Sequence, residues 1–237
     1  VPSASAPTAR SESREPRREL IIGCAGFPVP ATRLFKEIFF VEVPDTHVTQ
    51  PGAGTIRRWR REAPPGFTFA VQAPRDIGQE GFRPGKIVEG AVKSLVEVAK
   101  ELDAKIAVFG SPPDFTASRA NKAAVKEFLA GMGKRFDHVV WEPPPGWDAD
   151  DAQALAQDAK ATASRDPLVS GVGEGKAKFA YYRLPGPAGH KSRYEDPAIE
   201  KLGEIAAGAE HEQAVYVFAN VDMFADAKRL KRVLELP

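Results

Sequence analysis

Residues 67–75 read Phe-Thr-Phe-Ala-Val-Gln-Ala-Pro-Arg. This stretch decides the fold class. Phe67, Phe69, Val71 and Ala73 form one alternating set, and Thr68, Ala70 and Gln72 form the other, which is the two-residue period of a strand. Apolar residues occur in both sets, so both faces are covered. That is the pattern of a parallel strand under helices, where an antiparallel strand with one wet face would alternate cleanly with polar residues. Pro74 ends the run, and the polar Gln72 stands at its very end.

The same design repeats on both sides. Leu20–Cys24, Phe39–Val43, Lys105–Phe109, His138–Glu142, Leu168–Val172, Phe179–Leu184 and Val215–Asn220 complete a set of predicted strands, and Leu-Val-Ser-Gly-Val at 168–172 has the weakest apolar signal. Helical spacing fills the intervals. Val88, Ala91, Val92, Leu95, Val98, Ala99 and Leu102 form a stripe over 86–102. Val125, Phe128, Leu129 and Met132 do so over 119–135, and Phe224, Ala227, Leu230 and Leu234 over 223–235. Shorter helices are expected over 31–37, 53–62, 149–164 and 196–208. Pro and Gly clusters at 64–66, 111–115, 142–147 and 184–189 mark loops.

Strands alternating with helices predict an α/β fold with a parallel sheet, and the number of repeats fits a compact (β/α)8 TIM-type barrel over residues 20–237. The competing architecture is an open doubly wound sheet. It is disfavoured because Gly-Cys-Ala-Gly-Phe at 23–27 does not complete a dinucleotide-binding glycine pattern. Residues 1–19, rich in Ser, Ala, Pro and charge without apolar periodicity, are expected to be a disordered N-terminal tail.

The chain has 33 Lys and Arg against 32 Asp and Glu, a formal charge of +1. No global polyanion-binding excess exists, although a local basic patch is compatible with that balance. Cys24 is the sole cysteine, so no disulfide within the chain supports the fold. No apolar run is long enough for a membrane span, and no secretory signal pattern is visible. The expectation is a cytoplasmic protein that does not engage a membrane.

Function is sought where polarity interrupts apolar strands. In a barrel, side chains alternate between the interior and the helix layer. One phase places Cys24, Glu42, Gln72, Glu142, Arg183 and Asn220 at the C-terminal strand ends, where barrel active sites form. Arg75, Trp147, Tyr194 and Asp222 lie just beyond. Each residue has a plain structural reading beside the functional one. Glu42 or Glu142 can form an internal ion pair with Arg183, Gln72 and Asn220 can satisfy loop backbone, Cys24 can serve as a small buried hydrophobe, and Trp147 can be a packing lid.

Several segments together resemble the DUF72 (YecE-like) barrels, particularly an archaeal branch. They are IIGCAGFPV at 21–29, FFVEV at 39–43, PPGFTFAVQAPR at 64–75, VVWEPPPGW at 139–147, YYRLPG at 181–186, YEDPAIEKL at 194–202 and VYVFANVDMFADAKRL at 215–230. The resemblance implies a TIM-type barrel without an agreed activity, with nucleic-acid processing suggested by analogy to barrel endonucleases. Glu42, Arg75, Glu142, Trp147, Arg183 and Tyr194 match the family pattern. Departures occur at Pro44–Val48, at Gln72 where Lys is usual, at Pro143–Pro145 where an Arg often stands, at Pro185 where His is usual, and at Ala219-Asn220 where an Asn pair is usual.

The four histidines, His47, His138, His190 and His211, do not gather at strand C-termini, so a multi-zinc nuclease is not expected. No nucleophile elbow, phosphate loop or cofactor motif is visible, and no cofactor is expected. Glu42 and Glu142 with Arg183 suit metal-independent acid–base catalysis, one carboxyl kept neutral and the other ionised. The remaining candidates, Gln72, Arg75, Trp147, Tyr194, Asn220 and Asp222, are expected to bind substrate, with Arg75 on phosphate and Trp147 or Tyr194 under a flipped base. The leading expectation is cleavage of a glycosidic or phosphodiester bond in damaged DNA or RNA. An enzyme acting on a small sugar or phosphorylated metabolite and a non-catalytic nucleic-acid- or protein-binding barrel remain alternatives.

Overall fold

The structure is a computed structural model, which describes residues 18–44, 51–173 and 177–236. Eight strands run in chain order: β1 Glu19–Ala25, β2 Phe40–Val43, β3 Thr68–Gln72, β4 Ile106–Gly110, β5 His138–Glu142, β6 Thr162–Ala163, β7 Phe179–Leu184 and β8 Gln213–Phe218. The helices between them are α1 Ala31–Leu34, α2 Ala53–Glu62, α3 Arg75–Gln79, α4 Lys86–Leu102, α5 Arg119–Met132, α6 Ala149–Asp158, α7 Pro167–Ser170, α8 Asp196–Gly208 and α9 Met223–Val233.

All strand pairs are parallel, in the order β6-β5-β4-β3-β2-β1-β8-β7. The ring closes between β6 and β7 through a single bridge, Arg165 opposite Tyr182. There the Arg183 N–H donates to Arg165 O at 3.0 Å. This is the expected (β/α)8 barrel.

Two apolar layers follow from the strand alternation. Phe40, Ala70, Ile106, Val108, Val140, Tyr181, Val215 and Val217 fill the interior. The opposite set, including Cys24, Val41, Val71, Phe109, Trp141, Tyr182 and Phe218, packs under the helices. Gly23 is required where β1 meets β2, because a Cβ there would lie 2.2 Å from the Phe40 carbonyl oxygen. At the N-terminal end of the interior, the His138 ring stacks on Phe179 with centroids 3.8 Å apart.

Three expectations require correction. The sixth strand is Thr162–Ala163, and the stretch expected as a strand over Leu168–Val172 is mostly α7. Asp166 caps that helix by accepting from the Leu168 N–H, and Pro167 sits in its first turn, which is a helix-start signature. The helix expected over 149–164 accordingly stops at Asp158, leaving room for β6.

The second correction concerns phase. Cys24 faces the helix layer, so Ala25 holds the interior position at the end of β1. Asn220 likewise continues the outward set of Tyr216 and Phe218.

The third concerns the tail. Glu19 opens β1, and the Arg18 guanidinium donates to the carbonyls of Ala206 and Ala207 at the end of α8, so Arg18 and Glu19 belong to the barrel. The remainder of the expected tail, 1–17, and the segment after β2 that holds His47 lie outside the described residues.

Candidate functional site

Three strands spaced around the ring deliver three charged side chains to the barrel interior. Glu42 stands near the end of β2, with Ala25 and Ala70 as its neighbours on β1 and β3. Glu142 ends β5 beside Gly110 of β4. These small neighbours leave space for the two carboxyl groups. Arg183 comes from β7, one residue before its end.

The three groups form one cluster. Arg183 Nη1 donates to Glu142 Oε1 at 2.5 Å, and Nη2 lies 3.0 Å from Glu42 Oε1. The Tyr181 hydroxyl donates to Glu42 Oε2 at 2.6 Å. The second contact is an ion pair without good hydrogen-bond alignment, so Glu42 Oε1 has no directed hydrogen bond. Arg183 Nε is also buried without a hydrogen-bond partner. The cluster therefore keeps hydrogen-bonding capacity on both its acidic and its basic member.

Exposure separates the two carboxyl groups. The Glu42 side chain is 0% exposed, whereas that of Glu142 is 31% exposed and that of Arg183 21%. Burial opposes the charge on Arg183, but Glu42 and Glu142 outweigh it and hold the guanidinium more firmly protonated than usual. Burial, followed by the Glu42 charge, pushes the Tyr181 phenol well above its ordinary range, so it remains a donor. The result is a fixed Glu42–Tyr181–Arg183 base inside the barrel, with Glu142 as the carboxyl reachable from the C-terminal mouth.

The other sequence candidates divide. Gln72 is buried at the interior end of β3, and Arg75 is exposed at the start of α3. Asp222 precedes α9 and pairs with Arg193 at 2.9 Å. Trp147 is held in the helix layer. Its indole N–H donates to Phe115 O at 2.8 Å, its ring lies parallel to Phe115, and its edge meets Trp141. Tyr194 is buried against Phe218, and its hydroxyl accepts from the Gly186 N–H at 2.8 Å.

Asn220 donates to Asp226 Oδ2 at 2.8 Å, and Asp226 also accepts from Arg229 at 2.7 Å. That network ties the loop after β7 to α9, because Arg229 also donates to Tyr194 O and pairs with Asp196. Trp147, Tyr194 and Asn220 thus shape the loops around the mouth, while the charged cluster lies in the interior. Cys24 is fully buried, and burial, with Asp226 adding to it, pushes its thiol up to about 12, so it is not a nucleophile at neutral pH.

Sequence reasoning did not nominate Tyr181. The available signal was its position two residues before Arg183 on the same strand, which gives it the same phase. Among the described residues, no group of three or more His, Cys, Asp or Glu side chains is placed to hold a metal ion.

A closed parallel barrel with a Glu–Arg–Glu cluster at its C-terminal end, buried at Glu42 and open at Glu142, defines a TIM-type barrel protein with a candidate active site in the usual place. The family model described as "Protein of unknown function DUF72" matches residues 35–236, and the chain belongs to that family. Its fold is similar to a DUF72 protein of Enterococcus faecalis V583, with a TM-score of 0.74 and 14% identity over 94% of this chain and 100% of that one. A DUF72 protein of Thermotoga maritima MSB8 matches with a TM-score of 0.70 and 17% identity over 92% of this chain and 100% of that one. More distantly, the fold is similar to D-psicose 3-epimerase from Clostridium cellulolyticum H10, solved with D-tagatose: TM-score 0.57, 13% identity, 92% of this chain and 96% of that one. No curated protein matches the chain.

Proposed function

We propose that this barrel is an acid–base enzyme working at a sugar carbon of a small hydroxylated substrate bound at the C-terminal mouth. The observation that carries the reading is the single guanidinium shared by a buried and an accessible carboxyl, Glu42 and Glu142. Glu142 takes the proton from the substrate and returns it. Arg183 offsets negative charge that develops on a substrate oxygen, and Glu42 with Tyr181 fixes the direction of Arg183. The distant likeness to a sugar epimerase supports the substrate class by fold analogy alone.

A second reading is cleavage of the N-glycosidic bond in damaged nucleic acid. It is favoured by the unequal exposure of the two carboxyls, since differently placed carboxyls can take separate acid and charge-stabilising roles in such cleavage. The helix-layer positions of Trp147 and Tyr194 remove the base-stacking support that the sequence suggested for it.

Both readings meet in one experiment. The protein is incubated in D2O with aldoses, ketoses, sugar phosphates, nucleosides and lesion-bearing oligonucleotides, with EDTA and separately with Mg2+, and products are followed by NMR. Deuterium entering a sugar carbon, abolished in Glu142→Gln, is the expected result. Release of a free base would move the assignment to the second reading. No turnover on any substrate by the folded protein would overturn both.

A further inference from the structure

α2 carries Arg57, Arg58, Arg60 and Arg61 around the buried Trp59. Arg57, Arg58 and Arg61 are exposed and lie at helical spacing on one face. Among the described residues, none of the four forms an ion pair with a carboxylate. The charge of Arg60 reaches Asp103 only through space. A basic last turn stabilises a helix end, which accounts for Arg60 and Arg61. It does not account for Arg57 and Arg58 one turn earlier.

α2 is held against the α1 region through its buried side. The Phe27 ring stacks on Trp59 at 4.5 Å and meets Phe35 edge-on, joining the α1 region to α2. Arg33 of α1 turns instead over the Phe224 ring of α9, 5.6 Å from its centroid, and is not part of the α2 face. The one acid on α2 is Glu62 at its C-terminal end, and no ion pair joins it to Arg58 or Arg61 among the described residues. Three exposed cations, Arg57, Arg58 and Arg61, therefore share one helix face of a chain whose overall balance is only +1.

We infer that this face binds the phosphate backbone of nucleic acid without reading its sequence. The site is separate from the Glu42–Arg183–Glu142 cluster, because α2 lies in the outer helix layer. Guanidinium groups on a rigid helix suit phosphate oxygens. The apolar residues of α2, Ile56 and Trp59, are buried, so the face lacks the outward apolar stripe of a membrane-docking helix. It likewise presents no exposed aromatic or aliphatic side chain that a protein partner could bury as an anchor.

The test uses the full chain and fluorescence anisotropy with a labelled oligonucleotide of mixed sequence, single- and double-stranded, across a salt series. Three phosphate contacts predict a log–log salt slope of about −2 for single strands and about −2.7 for duplex. Affinity should fall by roughly twentyfold to fortyfold between about 50 and about 200 mM salt. The variant carrying Arg57→Gln, Arg58→Gln and Arg61→Gln should reduce the slope by about 2 to 3. The corresponding triple Lys variant should retain it, since the positive charge is kept. A wild-type chain that does not bind at low salt would overturn the inference, as would an unchanged slope in the triple Gln variant. Capture by phosphatidylserine vesicles in preference to the oligonucleotide would overturn it in favour of a membrane surface. Circular dichroism confirms that the variants fold, and the readout does not depend on turnover.

Discussion

At the scale of single residues, the two glutamates have different roles even though the sequence places them alike. Glu42 is enclosed, accepts from Tyr181 and touches Arg183, so removing it leaves the buried Tyr181 hydroxyl without its acceptor and Arg183 with Glu142 alone. Glu42→Ala should cost about 3–5 kcal/mol in urea unfolding, the range for breaking a buried pair. Tyr181→Phe removes one hydrogen bond to a carboxyl and should cost about 1.5–3 kcal/mol. Glu142→Gln leaves the interior pair intact and should lose turnover with much less loss of stability. Equal destabilisation by Glu42→Ala and Glu142→Gln would show that the exposure difference between them has no energetic meaning.

The legibility of these positions depended on charge. In β2, β5 and β7 a charged residue marks the inward set, so Glu42, Glu142 and Arg183 were readable from the sequence. In β1 and β8 both faces are apolar and alternation carries no direction. Gly23 contributes no side chain, and Ala214–Phe218 is apolar throughout, which is why Cys24 and Asn220 were placed on the wrong side. Trp147 shows a different limit. Its indole donor is satisfied by the carbonyl of Phe115, and no local pattern near residue 147 specifies that partner.

At the scale of elements, the weak place is the junction of β6 and β7. β6 has two residues, and a single bridge joins it to β7. The side chain of Arg165 reinforces this place from outside, donating to Ala149 O at 2.8 Å and pairing with Asp150 at 2.9 Å. Amide hydrogen exchange should therefore be faster in 162–166 than in β1 or β8, which are bonded along their full length. Arg165→Ala should widen that difference. Protection at 162–166 equal to that of β8 would contradict the assignment of a weak seam. The shortness of β6 also explains why the sequence concealed it. Two small residues cannot display a period, whereas the nearby Leu168 and Val169 imitated a strand inside a capped helical turn.

At the scale of the whole molecule, the barrel interior has a polar end and an aromatic end. At the aromatic end, burial lowers the imidazole pKa of His138 below its ordinary value, against the smaller opposing influence of Asp137 and Glu19. The folded state therefore disfavours the proton that the unfolded chain accepts near pH 6.5. This contribution leaves stability intact above that pH and erodes it as pH falls through the ordinary histidine range toward the lower folded value. The melting temperature should decline between about pH 7 and about pH 5, and His138→Gln should flatten that decline. An unchanged slope in the variant would exclude His138 as its source.

The charged cluster also constrains how the protein is made. Glu42, Glu142 and Arg183 are distributed along most of the chain, and the cation comes last. During synthesis from the N-terminus, β2 and β5 emerge from the ribosome well before β7 can neutralise them. Until then, closing the first strands around Glu42 would enclose a carboxyl without its counter-charge, which opposes early closure. A nascent chain stalled before residue 183 should consequently remain protease-sensitive around β2, and resistance should appear only once β7 has emerged.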